Sequence, residues 1–310
     1  MRICLSRDQV YPARTGGIAS SRVQDNLAKG LADLGHEVHY YLPDGLEAPL
    51  PSGIRLADRL IPDADVWHVQ DFENQQSLKH SDKPWVRTYH SPFTLASRGP
   101  EWQQPDNWIF VSRAHAAANG CRRFVHNGVD PEEYVYSLSK DDYFLFTVHD
   151  MGRAAGKGFG IALHLKELCG FRLIVAGGGH PDHQEYFRRL CVDSGATFVG
   201  WVQGTQKAEL FAGAKALLFP TQVAEPFGVV VAEALMSGTP VVASEYGACP
   251  ELVTDDVGFV CRGERDYLYA IENIGRISPV DCRNRALTRF HYQVMASGYI
   301  QQYRQEISNF

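Results

Sequence analysis

Four short runs constrain this chain most: residues 145–148 (LFTV), 173–176 (LIVA), 216–219 (ALLF) and 240–243 (PVVA). None shows the in-out alternation of a strand with one wet face. Continuous apolar runs of this length suit parallel strands covered on both sides. Helical stretches separate them, at residues 161–168, 181–191, 207–211, 228–236 and 266–274, and further strands are expected at 197–199 and 258–261. An earlier series of strands, at 2–5, 37–42, 66–69, 85–89 and 107–111 with a short one at 123–126, precedes this one. In that series Val23, Leu27, Leu31 and Leu34 mark one face of a helix, with Gly35 as its stop. Strand and helix alternating twice over imply an α/β fold with two parallel-sheet units.

A length of 310 residues suits two such domains. A polar stretch at 137–142 separates the two series, so the expected division is 1–138 and 139–285. Ser278, Pro279 and Asp281 then read as a helix start. A last helix, 286–310, presents Met295, Tyr299, Tyr303 and Ile307 at helical spacing. The net charge of −6 gives no reason to expect nucleic acid. Seven scattered cysteines without a CxxC pair suit a reducing compartment. The amino end reads as a strand rather than a leader, and no run approaches the ~20 apolar residues of a membrane helix. A cytoplasmic protein is expected, with peripheral membrane contact still compatible.

The chemistry concentrates in the second series. After the strand 216–219 comes Glu225-Pro226-Phe227-Gly228-Val229-Val230-Val231-Ala232-Glu233. Gly228 opens a helix at a strand's carboxyl end, where backbone N–H groups and the helix dipole favour a pyrophosphate. Glu233, leaning back along that helix, can accept from a ribose diol. Glu225 would be repelled by a pyrophosphate and makes more sense on sugar hydroxyls. After the strand 143–148, Gly152-Arg153-Ala154-Ala155-Gly156-Lys157-Gly158-Phe159-Gly160 resists regular helix. Arg153 and Lys157 there can neutralise a diphosphate. Thr15-Gly16-Gly17 and His90 follow strands of the first series; His90 can contact a sugar, steer an acceptor hydroxyl or be structural. His68 and Asp71 carry a weaker functional reading. Asp63-Ala64-Asp65 reads as a turn leading into a strand rather than a metal site. Ala176-Gly177-Gly178-Gly179 lacks dinucleotide-binding spacing.

In this order the pieces resemble the retaining glycosyltransferases of family 4, which have the GT-B fold: two Rossmann-like domains facing an interdomain cleft. The resemblance runs through Gly16-Gly17, Gly35-His36-Glu37-Val38, Asn127-Gly128-Val129-Asp130, Gly152-Arg153, Lys157-Gly158, Phe198-Val199-Gly200, Phe219-Pro220-Thr221, Glu225 to Glu233, Gly238 to Ala243, and Gly247 to Glu251. It implies a hexosyl transfer from a nucleotide-diphosphate sugar, UDP-sugar favoured, to an acceptor hydroxyl, without metal or cofactor. Arg153 and Lys157 would hold the phosphates with backbone groups at Gly228 and Val229 beside Phe227. Glu233 would hold the ribose, Glu225 the sugar, and the backbone at Trp201 and Val202 the base. Gly17 and His90 would approach from the first domain, and the last helix would return to it. Retention would proceed by front-face displacement, with a phosphate oxygen taking the acceptor's proton. The resemblance leaves the acceptor open among a saccharide, a lipid-linked acceptor and a small molecule. Alternatives on the same fold are a sugar-nucleotide epimerase, a phosphorylase or a silent sugar-nucleotide-binding homologue. Two departures stand out: a short first domain, and Val148-His149-Asp150-Met151 in place of a small apolar lead-in to Gly-Arg.

Overall fold

The computed structural model describes residues 1–8, 10–13, 19–70, 78, 81–91 and 106–310. It divides into two compact units, Met1–Val129 with Arg289–Phe310, and Asp130–Thr288. In the first unit β1 (Arg2–Ser6), β2 (Glu37–Tyr41), β3 (Ile54–Ala57), β4 (Val66–Val69), β5 (Trp85–Tyr89) and β6 (Trp108–Phe110) form one parallel sheet, ordered β3-β2-β1-β4-β5-β6. In the second, β7 (Tyr143–Asp150), β8 (Arg172–Gly178), β9 (Thr197–Gly200), β10 (Ala216–Phe219), β11 (Val241–Ser244) and β12 (Gly258–Cys261) run β12-β11-β10-β7-β8-β9. Numbered from its own first strand, the second sheet repeats the order of the first. Both are the doubly wound Rossmann arrangement, in which the winding reverses at β1/β4 and at β7/β10.

The continuous apolar runs are buried on both faces. All four residues of β10 and of β11 are buried. Phe144, Phe146 and Val148 join one core cluster with Leu173, Val175, Ala162, Leu165 and Ala270, whereas Leu145 and Leu217 are equally inaccessible outside it. The segment after Val129 packs into the second unit. Lys140 Nζ donates to Ala212 O (2.8 Å), Ser237 O (3.2 Å) and Thr239 Oγ1 (2.9 Å), and burial lowers its pKa to about 8.

Among the described residues the α-helices are α1 (Ala19–Asp33), α2 (Arg113–Ala118), α3 (Phe159–Cys169), α4 (Pro181–Asp193), α5 (Gly204–Gly213), α6 (Val229–Met236), α7 (Cys249–Leu252), α8 (Glu264–Asn273), α9 (Pro279–Arg289) and α10 (Tyr292–Asn309). Val280 N donates to the Ser278 hydroxyl at 3.2 Å, which caps the start of α9. In α10, Met295, Tyr299 and Tyr303 are buried, and Ile307 is half-buried. Gly30 of α1 lies against this helix; a Cβ there would stand 2.8 Å from Ala296 Cβ.

Two expectations change and one strand is added. Leu34 is 40% exposed, because α1 ends at Asp33 and Gly35 (φ +80°) turns the chain. The strand expected at 123–126 is a single bridge, Phe110 to Phe124. β3 was not expected: its two central residues are exposed and it has one neighbour, β2, so it carries little apolar signal.

Candidate active site

The carboxyl ends of β7 and β10, where the second sheet reverses its winding, carry the two segments singled out above. β7 runs on to Asp150, whose Oδ1 accepts from Gly152 N at 2.9 Å and caps a turn of 3-10 helix, Met151–Arg153. Residues 154–158 continue as turns, and α3 begins only at Phe159. The glycines are needed where this loop meets β10. Gly158 has φ +82°, and a Cβ on it would stand 2.0 Å from Pro220 O. Gln222 N donates to Gly156 O at 2.9 Å, a second stitch between the segments. Lys157 is thereby brought over the end of β10, 6.0 Å from the Phe219 ring centroid.

Lys157 Nζ donates to Glu225 Oε2, with the side chains 25% and 13% exposed. The Glu225 backbone is gripped from the loop after β11. Ala248 N donates to Glu225 O at 2.9 Å, and Gly247 (φ +63°) passes so close that a Cβ would stand 2.3 Å from Glu225 N and O. Cys249 behind them is buried, and burial first, then Glu225, pushes its thiol up to about 12. Phe227 is buried, and Gly228 (φ +93°) caps α6. The first turn of α6, beginning at Val229, has N–H groups without intrahelical partners, a setting that favours an anion. Lys157, Glu225, Gly228 and Val229 therefore form one group.

Two further groups stand beside it. Glu233 is 3% exposed, and its Oε1 accepts from Tyr134 O–H at 3.0 Å and from Lys207 Nζ at 2.7 Å. Trp201 is 39% exposed while Val202 is buried. Its indole lies close over Gly178, where a Cβ would come within 2.7 Å, and meets the His149 ring edge to face at 5.2 Å. The indole N–H donates to Gln203 Oε1 at 3.1 Å. Burial lowers the His149 pKa, and the charges of Arg153 and Lys207 lower it further against Asp150. His149 thus packs on Trp201 and feels the charges of the exposed Arg153 and of Lys207.

The remaining candidates lie in the first unit. Gly17 and Asp71 are outside the described residues. The chain up to Ala13 is held: Arg7 donates to Val10 O (2.7 Å) and to Asp25 Oδ1 (2.6 Å), and Ala13 N donates to Asp25 Oδ2 (2.8 Å). Burial raises the Asp25 pKa, although Arg7 opposes it. His90 is half-buried, 3.4 Å from the Gln70 amide, and is held below the ordinary imidazole range by burial, His115 and Arg87. His68 is a core residue, with Nδ1 2.7 Å from Tyr303 Oη and Nε2 2.9 Å from Thr88 Oγ1. Asp63 and Asp65 both pair with Arg2, Asp65 Oδ2 accepting from Arg2 N at 2.8 Å, so they form the turn leading into β4. Sequence reasoning missed Lys207 and Tyr134. Lys207 left one trace, a cation on the first turn of the helix that follows Trp201.

Residues 160–275 match a family model described as glycosyl transferases group 1, a stretch lying wholly within the second unit. An uncharacterized glycosyltransferase of Methanocaldococcus jannaschii is 30% identical over 44% of this chain and 39% of its own length. The chain thus spans well under half of that relative. The phosphatidyl-myo-inositol mannosyltransferase of Mycobacterium tuberculosis is 25% identical over 93% of both chains. Among solved structures, a glycosyltransferase involved in avilamycin A biosynthesis superposes with a TM-score of 0.78 at 23% identity, over 100% of this chain and 98% of its own. HepE of Anabaena, solved in complex with UDP, gives 0.70 at 19% over 100% of both. At those identities the structures speak for the fold alone. The family model, over part of the second unit, and the near-full-length relative are similarities of sequence, and the solved glycosyltransferases share the GT-B fold with this chain.

Proposed function

We propose that this protein transfers a sugar from a nucleoside-diphosphate sugar, by preference UDP-linked, to an acceptor hydroxyl, with retention and without a metal or cofactor. The observation that carries the reading is the contact of Lys157 with Glu225 beside the amino end of α6. In a donor complex each would gain its own partner. The Lys157 ammonium, with Arg153 and the first N–H groups of α6, would face the diphosphate; the Glu225 carboxylate would accept from the hydroxyls of the sugar. The UDP complex of HepE supports the choice of base.

As the bond from the anomeric carbon to the phosphate oxygen breaks, negative charge grows on the diphosphate. Two cations and a helix end stabilise it electrostatically. The acceptor oxygen bonds the anomeric carbon on the face the diphosphate leaves, and its proton passes to a phosphate oxygen. Glu233 would hold the ribose, and the backbone at Trp201 and Val202 the base.

Lys157→Ala tests the reading. The variant is expected to keep the wild-type circular dichroism spectrum and to lose about 10²–10³-fold in nucleotide release from the donor, the range for removing one stabilising group. Near-normal turnover in the folded variant would remove Lys157 from the reaction and the proposed function with it.

A further inference from the structure

Lys207 pairs with the carboxylate of Glu233 on α6, and it stands one helical turn after Gln203, whose Oε1 accepts from the Trp201 indole. Its Nζ donates to Glu233 Oε1 at 2.7 Å, and Tyr134 O–H donates to the same oxygen at 3.0 Å. The Glu233 side chain is 4% exposed and the Lys207 side chain 23%. A carboxylate so enclosed needs a partner charge, and the ammonium supplies it. Lys207 is itself held from below, with Nζ 5.5 Å from the Phe211 ring centroid. Two donors meeting on one oxygen fix the plane in which the other lone pairs of the carboxylate lie.

We infer that Lys207 is the positioning residue of a ribose-recognition site, holding Glu233 charged and oriented so that the site prefers ribonucleotides to 2′-deoxyribonucleotides. The inference rests on the donor-binding role given to Glu233 above and adds to it the residues that make Glu233 competent. Tyr134 assists from the segment that begins the second unit. Because Lys207 stands one helical turn after Gln203 and its charge reaches His149, the same side chain ties ribose recognition to the platform beside Trp201.

The test is titration of the full chain with UDP, GDP and ADP, each beside its 2′-deoxy counterpart. For the base that binds, the wild type is expected to prefer the ribose form about 10- to 100-fold, the value of one hydrogen bond to a charged group. Lys207→Met should bring that ratio below about threefold, Lys207→Arg should restore most of it, and Tyr134→Phe should lower it by an intermediate factor. A merely structural lysine would weaken both forms alike and leave the ratio unchanged, which would overturn the inference. If Lys207→Met does not fold, Tyr134→Phe decides: a folded variant with the wild-type ratio also overturns it. Should no nucleoside diphosphate bind the wild type, the donor-site reading falls first; binding with an unaltered ratio in the variants sinks the Lys207 role alone.

Discussion

His68 uses both ring nitrogens inside the first unit, between the Tyr303 hydroxyl and Thr88, whose own hydroxyl lies 2.6 Å from Tyr299 Oη. Burial, with His90 adding to it, lowers its pKa to about 3, against about 6.5 in an unfolded chain. The unfolded chain therefore binds the extra proton between those values. The contribution to stability is complete above pH ~6.5 and is lost as pH falls towards 3. Urea unfolding should show stability falling with pH across that window, and His68→Gln should lower the slope by up to one proton, ~1.4 kcal/mol per pH unit. An unchanged slope would mean that His68 is protonated in the folded protein. His115, lowered to about 4 by burial, contributes with the same sign, so the slope is reduced rather than abolished. Glu225 could be nominated from its place before Pro226-Phe227-Gly228. Its contact with Lys157 could not, because 68 residues of chain separate the two.

The loop 152–158 depends on glycine for two separable reasons. At Gly158 the backbone is left-handed, and the Pro220 carbonyl stands where a Cβ would be. Gly158→Ala is expected to cost about 1–3 kcal/mol through strain and overpacking, and to weaken nucleoside-diphosphate binding as Lys157 moves off the end of β10. Denaturation midpoints and titration of the same sample would check both; a variant equal to the wild type in each would show that the loop is held elsewhere. Glycine content made the loop legible as irregular, but not its lead-in. Only the structure shows Asp150 capping the turn and His149 turned towards Trp201. β3 and the bridge at Phe124 were misread for a related reason: edge pairing leaves a weak apolar pattern, and local propensity cannot report which neighbour is present.

At the scale of the whole molecule, Lys157, Glu225, Glu233 and their side-chain partners Lys207 and Tyr134 all lie within Asp130–Thr288, with their own sheet and core. The fragment 130–288 is therefore expected to fold cooperatively and to bind a nucleoside diphosphate within about tenfold of the full chain, ~1.4 kcal/mol. Calorimetric titration of the two proteins side by side would measure this. A folded fragment that binds no nucleotide would place an essential donor contact in the first unit. The last helix behaves differently: α10 belongs with Met1–Val129, into which Tyr299 and Tyr303 carry the hydroxyls that meet Thr88 and His68. Among the described residues no helix is long and apolar enough to cross a membrane.

By itself the amino-acid sequence determined that strands buried on both faces alternate with helices in two series, and that glycines, cations and carboxylates gather behind β7 and β10. Those properties are local, written in apolar runs and in residues whose backbone or charge has few other uses. Tertiary structure decided what met what: Lys157 on Glu225, Lys207 and Tyr134 on Glu233, Gly247 under Glu225, and His68 enclosed by α10 instead of facing a ligand. Contacts across tens to hundreds of residues depend on strand order and on how closely backbones approach, and neither is encoded in any one stretch of chain.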